Sequence, residues 1–164
     1  MAQTAAREKP APAPAAARSK PADRVLKLVR RFPAKPEQVF RAFTDPKRLA
    51  RWWGPKGYTV PVCEMDVRPG GRWLTTMRDP DGSDHTVSGI YREIEAPSRL
   101  AFTWAWHEDG KRGHETLVTI ALKPHGAGTE LTMTHSLFEA KRSRDLHEDG
   151  WSSALDCLAA YLRE

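Results

Sequence analysis

The sequence predicts an α+β domain in which one curved antiparallel sheet packs against a long C-terminal helix. Turn-forming residues divide residues 58–136 into pieces of about ten residues, and apolar side chains alternate with polar ones within each piece. Further on, Trp151, Leu155, Leu158 and Leu162 repeat at helical spacing. Because the turns between the pieces are short, they leave no room for the helical crossovers that a parallel sheet requires.

Before the sheet, the sequence predicts a first strand and two short helices. Residues 24–32 alternate apolar residues with charges, and two prolines end this strand. Residues 37–43 place apolar side chains at helical spacing, and Asp45 is suited to cap a second helix that begins at Pro46. This second helix is predicted to end at Gly54-Pro55 and to carry Leu49, Trp52 and Trp53.

Four of the later strands each present one apolar face. The side chains expected to share the inner side of the sheet are Trp73, Thr75 and Met77; Leu100, Phe102, Trp104 and Trp106; Val118, Ile120 and Leu122; and Leu131, Met133 and His135. The closing helix is predicted to extend upstream to Ser143, with an interruption near Gly150. The whole chain therefore contains about seven strands, two short helices after the first strand, and one long helix.

Residues 1–23 are predicted to form a disordered tail, and residues 24–164 a single domain. The tail is rich in Ala, Pro and charges and has no large apolar residue after Met1. Such a segment cannot bury enough surface to offset the entropy of ordering it. It contains no apolar signal region, and no part of the chain approaches the roughly 18 apolar residues of a membrane span. The predicted location is the cytoplasm.

Charge and cysteine content exclude several classes of partner. The formal net charge is +5, spread along the chain, which does not indicate specific nucleic-acid binding. Cys63 and Cys157 are isolated and lack the spacing of metal ligands or of a disulfide framework. We therefore predict no cofactor and no metal. His147 and His135 also lack metal-ligand spacing, and His147 is assigned to a helix junction.

A series of short motifs then identifies the chain more closely. They are AKPEQVFRAFTDP at 34–46, WWGP at 52–55, DVRPGGRW at 66–73, RLAFTW at 99–104, GTELT at 128–132 and HEDGW at 147–151. In this order they resemble the activator of heat-shock protein 90 ATPase homologue family, of the START-like (SRPBCC) superfamily. The resemblance covers about residues 24–163 and implies the helix-grip fold, a seven-stranded antiparallel sheet wrapped around the C-terminal helix. It also implies a cavity between sheet and helix, which many members of the superfamily use for apolar ligands.

The resemblance implies the fold more firmly than the activity. The eukaryotic activator has a further N-terminal domain that grips the chaperone, and a disordered tail of some twenty residues cannot replace it. A role in the stress response and a chaperone partner therefore follow from the family name alone, and a shared fold does not establish a shared function.

The leading hypothesis is a non-catalytic module, monomeric or homodimeric, that binds a small hydrophobic or aromatic molecule between sheet and helix. The residues predicted to line its site are Trp53, Trp73, Thr75, Met77, Phe102, Trp104, Trp106, Met133, His135, Trp151 and Leu155. In this hypothesis the aromatic rings supply area, and His135 supplies one orienting hydrogen bond. The same side chains can instead fill an ordinary core, and His135 can be satisfied by a neighbour within the protein.

Two other functions are compatible with the sequence. One is a co-chaperone-like interaction domain that uses an exposed apolar surface. The other is a cyclase- or dehydratase-like enzyme that pairs His135 with Glu64 or Asp66. Glu64, Asp66 and Arg68 can equally form a solvated strand face with an internal ion pair, and the segment from Asp66 to Gly71 is predicted to form a turn.

Overall fold

The described part of the chain begins just before the first strand of the sheet. A computed structural model describes residues 21–164, so residues 1–20, which make up most of the predicted tail, lie outside the described residues. Pro21–Arg24 forms a single 3-10 turn that contacts the C-terminal helix. The predicted boundary between tail and domain falls within this turn.

A single antiparallel sheet forms the body of the described chain. Its strands are β1 (Leu26–Phe32), β2 (Thr59–Met65), β3 (Arg72–Arg78), β4 (Asp84–Glu95), β5 (Arg99–Glu108), β6 (Lys111–Arg112), β7 (Thr116–His125) and β8 (Gly128–Ser136). Their order across the sheet is β1-β8-β7-β5-β4-β3-β2, and β6 pairs only with β5. With the helix α3 (Lys141–Leu162) packed against β1, this is the helix-grip architecture, and the predicted fold class is confirmed.

The two-residue strand β6 was not predicted. Asp109 and Gly110, recognised as a turn, both have positive φ (52° and 77°) and reverse the chain directly after β5. This two-residue turn pairs His107 with Arg112 and Glu108 with Lys111. The resulting strand is too short to show an alternating pattern, so the sequence indicated only the turn.

Two short helices close one end of the sheet. They are α1 (Pro36–Thr44) and α2 (Pro46–Leu49), and the Asp45 carboxylate accepts a hydrogen bond from the Lys47 backbone N–H at 3.0 Å, as the predicted cap requires. The prediction that α2 carries Trp52 and Trp53 was wrong, because α2 ends at Leu49 and both tryptophans follow it. Leaving the helix frees the two indoles from its fixed spacing of about 100° per residue, so each packs on a different surface.

Helix α3 is continuous from Lys141 to Leu162, so the predicted interruption near Gly150 was wrong. Gly150 lies in its interior, where glycine costs about 1 kcal/mol of helix stability relative to alanine. Burial of Trp151, Leu155 and Leu158 against the sheet in the following turns outweighs this cost. The helix therefore carries His147 in its second turn rather than at a junction.

Substituting Gly150 with alanine should stabilise the domain by about 0.5–1 kcal/mol. A Cβ at this position would meet no atom within 4 Å, and Gly150 has no positive φ. The gain is measured as a higher urea midpoint at an unchanged denaturant slope. A lower midpoint would show that the backbone at Gly150 departs from helical geometry in solution.

The inner faces of the sheet form the core, as the alternation predicts. The residues predicted to face inward on β3, β5, β7 and β8 are buried, except Trp106, which is half-buried near the end of β5. At the end of the sheet closed by α1 and α2, the core leaves a void of only about 10 Å³. This end of the interior is therefore filled, and any larger space lies toward the opposite end.

Candidate functional site

A cavity of about 390 Å³ lies between the sheet and the N-terminal half of α3. Its walls include four indoles, those of Trp53, Trp104, Trp106 and Trp151. The sheet side and the loop after α2 add Gly54, Pro55, Met77 and Glu108, and α3 adds Ser143, Leu146, His147, Gly150 and Ala154. This volume is within the range of small-molecule sites, and most of the wall is apolar.

The predicted site residues divide into two groups. Five of them line the cavity: Trp53, Met77, Trp104, Trp106 and Trp151. The other six are buried in the packed core and are absent from the cavity wall: Trp73, Thr75, Phe102, Met133, His135 and Leu155. The wall also contains residues that the sequence reasoning missed, notably Leu146, His147 and Gly150, because the helix was expected to break at Gly150.

The aromatic side chains form one continuous cluster behind and around the cavity. Trp53 contacts Trp151 with ring centroids 5.4 Å apart, and Trp104 contacts Trp151 at 5.1 Å. Trp106 meets Trp104 edge to face, with centroids 5.5 Å apart and planes at 87°. Aromatic pairs with such geometry add about 0.5–1.5 kcal/mol beyond the area that they bury. The wall is therefore a stiff aromatic surface with a right-angled corner at Trp104 and Trp106.

The indole N–H groups of this wall are directed into the protein. Trp53 donates to the Thr75 hydroxyl at 3.1 Å, and the Trp106 and Trp151 indoles donate to histidine rings at 2.9 and 3.1 Å. The N–H of Trp104 is buried and has no hydrogen-bond partner among the described residues, and aromatic rings surround that side chain. The wall consequently presents ring carbons to the cavity, with its hydrogen-bond donors used or covered.

His135 holds the Trp151 indole in place from within the core. Its Nδ1 accepts the Trp151 N–H, and its Nε2 lies 2.7 Å from the Thr116 hydroxyl. That hydroxyl donates its own proton to the Trp104 carbonyl, so the His135 ring must donate from Nε2. Burial, with a smaller contribution from nearby His147, lowers the pKa of His135 well below its ordinary value. His135 is thus a neutral imidazole with both nitrogens occupied, and neither is available to a ligand.

His147 holds the Trp106 indole in place in the same way, and it lies at the cavity wall. Its Nε2 accepts the Trp106 N–H, and its Nδ1 donates to the Ser143 carbonyl at 2.7 Å. Burial lowers the pKa of this ring as well. A second cavity of about 210 Å³ shares the Trp104, Trp106 and His147 walls with the first and extends toward Phe138 and Glu139.

The pair of acid–base groups needed for an enzyme of the kind considered above does not form. Glu64 lies opposite Leu74, on the outer side of the sheet, and is exposed. Asp66 lies in the turn after β2, where its carboxylate binds the Arg68 side chain at 2.9 Å. His135 faces the interior on β8 and is fully buried. The sheet therefore separates the two carboxylates from the imidazole, so these three groups cannot act together in proton transfer.

Metal and thiol chemistry have no structural support among residues 21–164. No group of three or more His, Cys, Asp or Glu side chains in this range is placed to hold a metal ion. Cys63 and Cys157 are both free, and burial raises the pKa of the Cys63 thiol to about 11. That thiol is therefore protonated at neutral pH, which makes it a poor nucleophile. Within the same range, no helix is long and apolar enough to cross a membrane.

Fold and cavity together define a helix-grip module with an aromatic-walled cavity between its sheet and its C-terminal helix. Residues 33–163 match the family described as Activator of Hsp90 ATPase homolog 1-like protein. The chain belongs to this family, which confirms the resemblance drawn from its motifs. No protein with curated annotation matches the chain.

Solved structures of similar proteins support the same assignment. The AHSA1 protein from Silicibacter pomeroyi is 34% identical with a TM-score of 0.77, over 85% of this chain and 97% of that one. A protein from Chromobacterium violaceum is 30% identical with a TM-score of 0.79, over 86% of this chain and 98% of that one. A protein from Nitrosomonas europaea is 30% identical with a TM-score of 0.75, over 87% and 96%.

Proposed function

We propose that this protein binds a small hydrophobic or aromatic molecule in the cavity between the sheet and α3, without catalysing its conversion. The observation that carries the proposal is the contrast between the two ends of the interior. The closed end leaves a void of about 10 Å³, whereas the end near Trp106 leaves about 390 Å³ beside an apolar aromatic wall. An open cleft of this size, walled mostly by apolar and aromatic side chains, has the form of a small-molecule site.

The wall has the properties of a prepared site. Trp53, Trp104 and Trp151 are 4–5% exposed and pack against one another, and two of these indoles are held by hydrogen bonds from their N–H groups. A ligand would therefore meet side chains that are already ordered and lose little affinity to fixing them. The proposal places the ligand at the mouth of the interior, against five of the predicted residues, with the other six supporting them from the core.

We expect a ligand from a panel of hydrophobic and aromatic metabolites to raise the melting temperature and perturb tryptophan fluorescence. At a hundred times its Kd, a ligand specific for the folded state adds about 2.7 kcal/mol, which is several degrees for a domain of this size. Substituting Gly150 with leucine places a side chain in open space at the cavity wall, so it should abolish both responses while the domain stays folded.

Alanine at Gly150 is the matched control for the leucine variant, since it makes the same backbone change with little added volume. Responses that survive in the leucine variant would place the ligand elsewhere. A flat panel with every compound class would contradict small-molecule binding at this cavity.

A second candidate function, suggested by the family relationship, is an interaction domain for a protein partner such as a chaperone in the cytoplasm. The outer face of the sheet supports it with an open groove of about 680 Å³ that includes the apolar side chains Leu74 and Ile90 beside Arg72. Ile90 is 38% exposed. This groove lies on the opposite side of the sheet from the aromatic cavity, so a partner there would not compete with a ligand in the cavity.

A further inference from the structure

The electrostatic character of the cavity follows from what its aromatic wall presents. The face of an indole carries negative charge density, and its N–H edge is the positive part. At Trp53, Trp106 and Trp151 the N–H edge is bonded within the protein, and at Trp104 it is buried. The wall therefore withholds the N–H donors of its indoles from the cavity and leaves only ring carbons to meet a ligand.

The charged residues of the wall have the same sign. Glu108 is exposed, lines both cavities, and forms no ion pair or side-chain hydrogen bond with any described residue. Glu139 lines the second cavity, 3.6 Å from His114. Among residues 21–164, no lysine or arginine belongs to either wall, although the chain has 26 Lys and Arg against 21 Asp and Glu.

Two lysines lie near the cavity without belonging to its wall. Lys111 is the strand partner of Glu108 across the β5–β6 hairpin, but the two make no ion pair within 4 Å. Lys56 follows Pro55 in the loop at the cavity, and its backbone N–H donates to the Ser153 hydroxyl at 2.8 Å. Neither lysine belongs to the wall, so the cavity is a local exception in a basic protein.

We propose that the ligand is an organic cation: an alkylated or quaternary ammonium group attached to an apolar, aromatic body. The cationic group would lie in the corner between Trp104 and Trp106, within the roughly 6 Å of a ring centroid at which cation–π attraction acts, with Glu108 as its counter-charge. The apolar body would extend along Trp53 and Trp151. This inference rests on the proposed function, since it names the class of ligand that the cavity takes.

Three matched phenols test the charge preference directly. They are 4-hydroxyphenyltrimethylammonium, its uncharged isostere 4-tert-butylphenol, and the anion 4-hydroxybenzenesulfonate. Titration of the protein followed by the indole N–H resonances gives each Kd and locates the site, because the resonances of Trp53, Trp104, Trp106 and Trp151 should move. The resonance of Trp52 should not, since its N–H is bonded to the Ala42 carbonyl outside the wall.

The cation should bind about tenfold more tightly than the isostere, the gain expected from a partly desolvated cation–π contact. The anion should bind most weakly of the three. Equal affinity for the cation and the isostere, or a preference for the anion, would overturn the inference and leave hydrophobic binding intact. If no member of the set moves the four resonances, both the inference and the proposed function lose their support.

Two sets of variants separate the contributions of charge and ring. Glu108→Gln should weaken the cation about threefold and leave the isostere unchanged, as expected for an exposed charge. Glu95→Gln, an exposed carboxylate near the other end of the β4–β5 pair, is the control and should change neither. Trp106→Phe and Trp106→Leu both lose the hydrogen bond to His147, so the difference between them isolates the aromatic ring.

The phenylalanine variant should retain most of the preference for the cation, and the leucine variant should lose most of it. The same preference in both variants would mean that the ring of residue 106 does not contact the cation, which contradicts the proposed position.

Discussion

Alanine at position 89 should destabilise the domain by about 3–5 kcal/mol. A Cβ at Gly89 would lie 1.8 Å from the Thr103 carbonyl oxygen and 2.7 Å from the Trp73 indole nitrogen. Both contacts are far shorter than atoms can tolerate, and the first is with backbone in a neighbouring strand. Relief therefore requires β4 and β5 to separate, because no side-chain rotation can open the gap.

The effect would reach the aromatic wall through Trp73. Its indole donates to the Thr103 carbonyl at 3.2 Å, a bond that requires the indole to approach the backbone at Gly89. Trp73 in turn packs edge to face on Trp53, with ring centroids 6.2 Å apart. Urea denaturation measures the loss, and Gly150→Ala is the control, since the same change of residue type should there have the opposite sign. A loss below about 1 kcal/mol would show that the sheet relaxes locally around the added methyl group.

The alternation of the strands predicted which side chains face inward, but not how far along the sheet the interior is filled. Phe102 and Trp106 share the inner face of β5, yet Phe102 borders only the void of about 10 Å³ and Trp106 borders the large cavity. Periodicity assigns a face, whereas filling depends on which helix lies over that face. Here α1 and α2 close one end, and their packing could not be derived from the strand pattern.

The α3 residues that line the cavity were the part of the site that the sequence predicted least well. An isolated glycine weakens a helical pattern, so an interruption was expected near Gly150, although the helix was predicted to extend upstream to Ser143. The structure continues α3 through Gly150 and places Leu146 and His147 at the cavity wall. The spacing from His147 to Trp151 and Leu155 is i, i+4, i+8, which was the available signal for a continuous helix.

The hydrogen-bond partners of His135 and His147 also could not be predicted from the sequence. Alternation predicted that His135 points inward, and the structure confirms this orientation. Its hydrogen bonds join β8 to α3 through Trp151 and to β7 through Thr116, contacts that depend on the tertiary arrangement. The leading hypothesis gave the His135 imidazole the role of orienting a ligand. In the structure it orients the Trp151 indole, which accounts for a buried polar side chain in this core.

Acidification between pH 7 and pH 5 should destabilise the domain, chiefly through His135. Its pKa and that of His147 are lower in the folded state than in the unfolded chain, where a histidine titrates near 6.5. Below about pH 6.5 the unfolded state therefore binds protons that the folded state does not, and stability falls with falling pH. Each such proton contributes a slope of up to about 1.4 kcal/mol per pH unit. The lowered pKa values of carboxyl groups such as Asp79 and Asp145 act below about pH 4, outside this range.

Urea denaturation at pH 7.5, 6.5, 5.5 and 5.0 measures this slope in the wild type and in His135→Leu. The variant should be less stable at pH 7.5, because the buried Trp151 N–H loses its acceptor, but its stability should fall less steeply with acid. His125→Gln, at an exposed histidine near the β7–β8 turn, is the control and should keep the wild-type slope. Because the folded His135 stays neutral over this range, its Nδ1 continues to accept the Trp151 N–H, so acid should lower stability without loosening the aromatic wall of the folded protein. An unchanged slope in His135→Leu would mean that His135 takes up its proton within the folded core, and its ring would then be a potential proton donor rather than a fixed support.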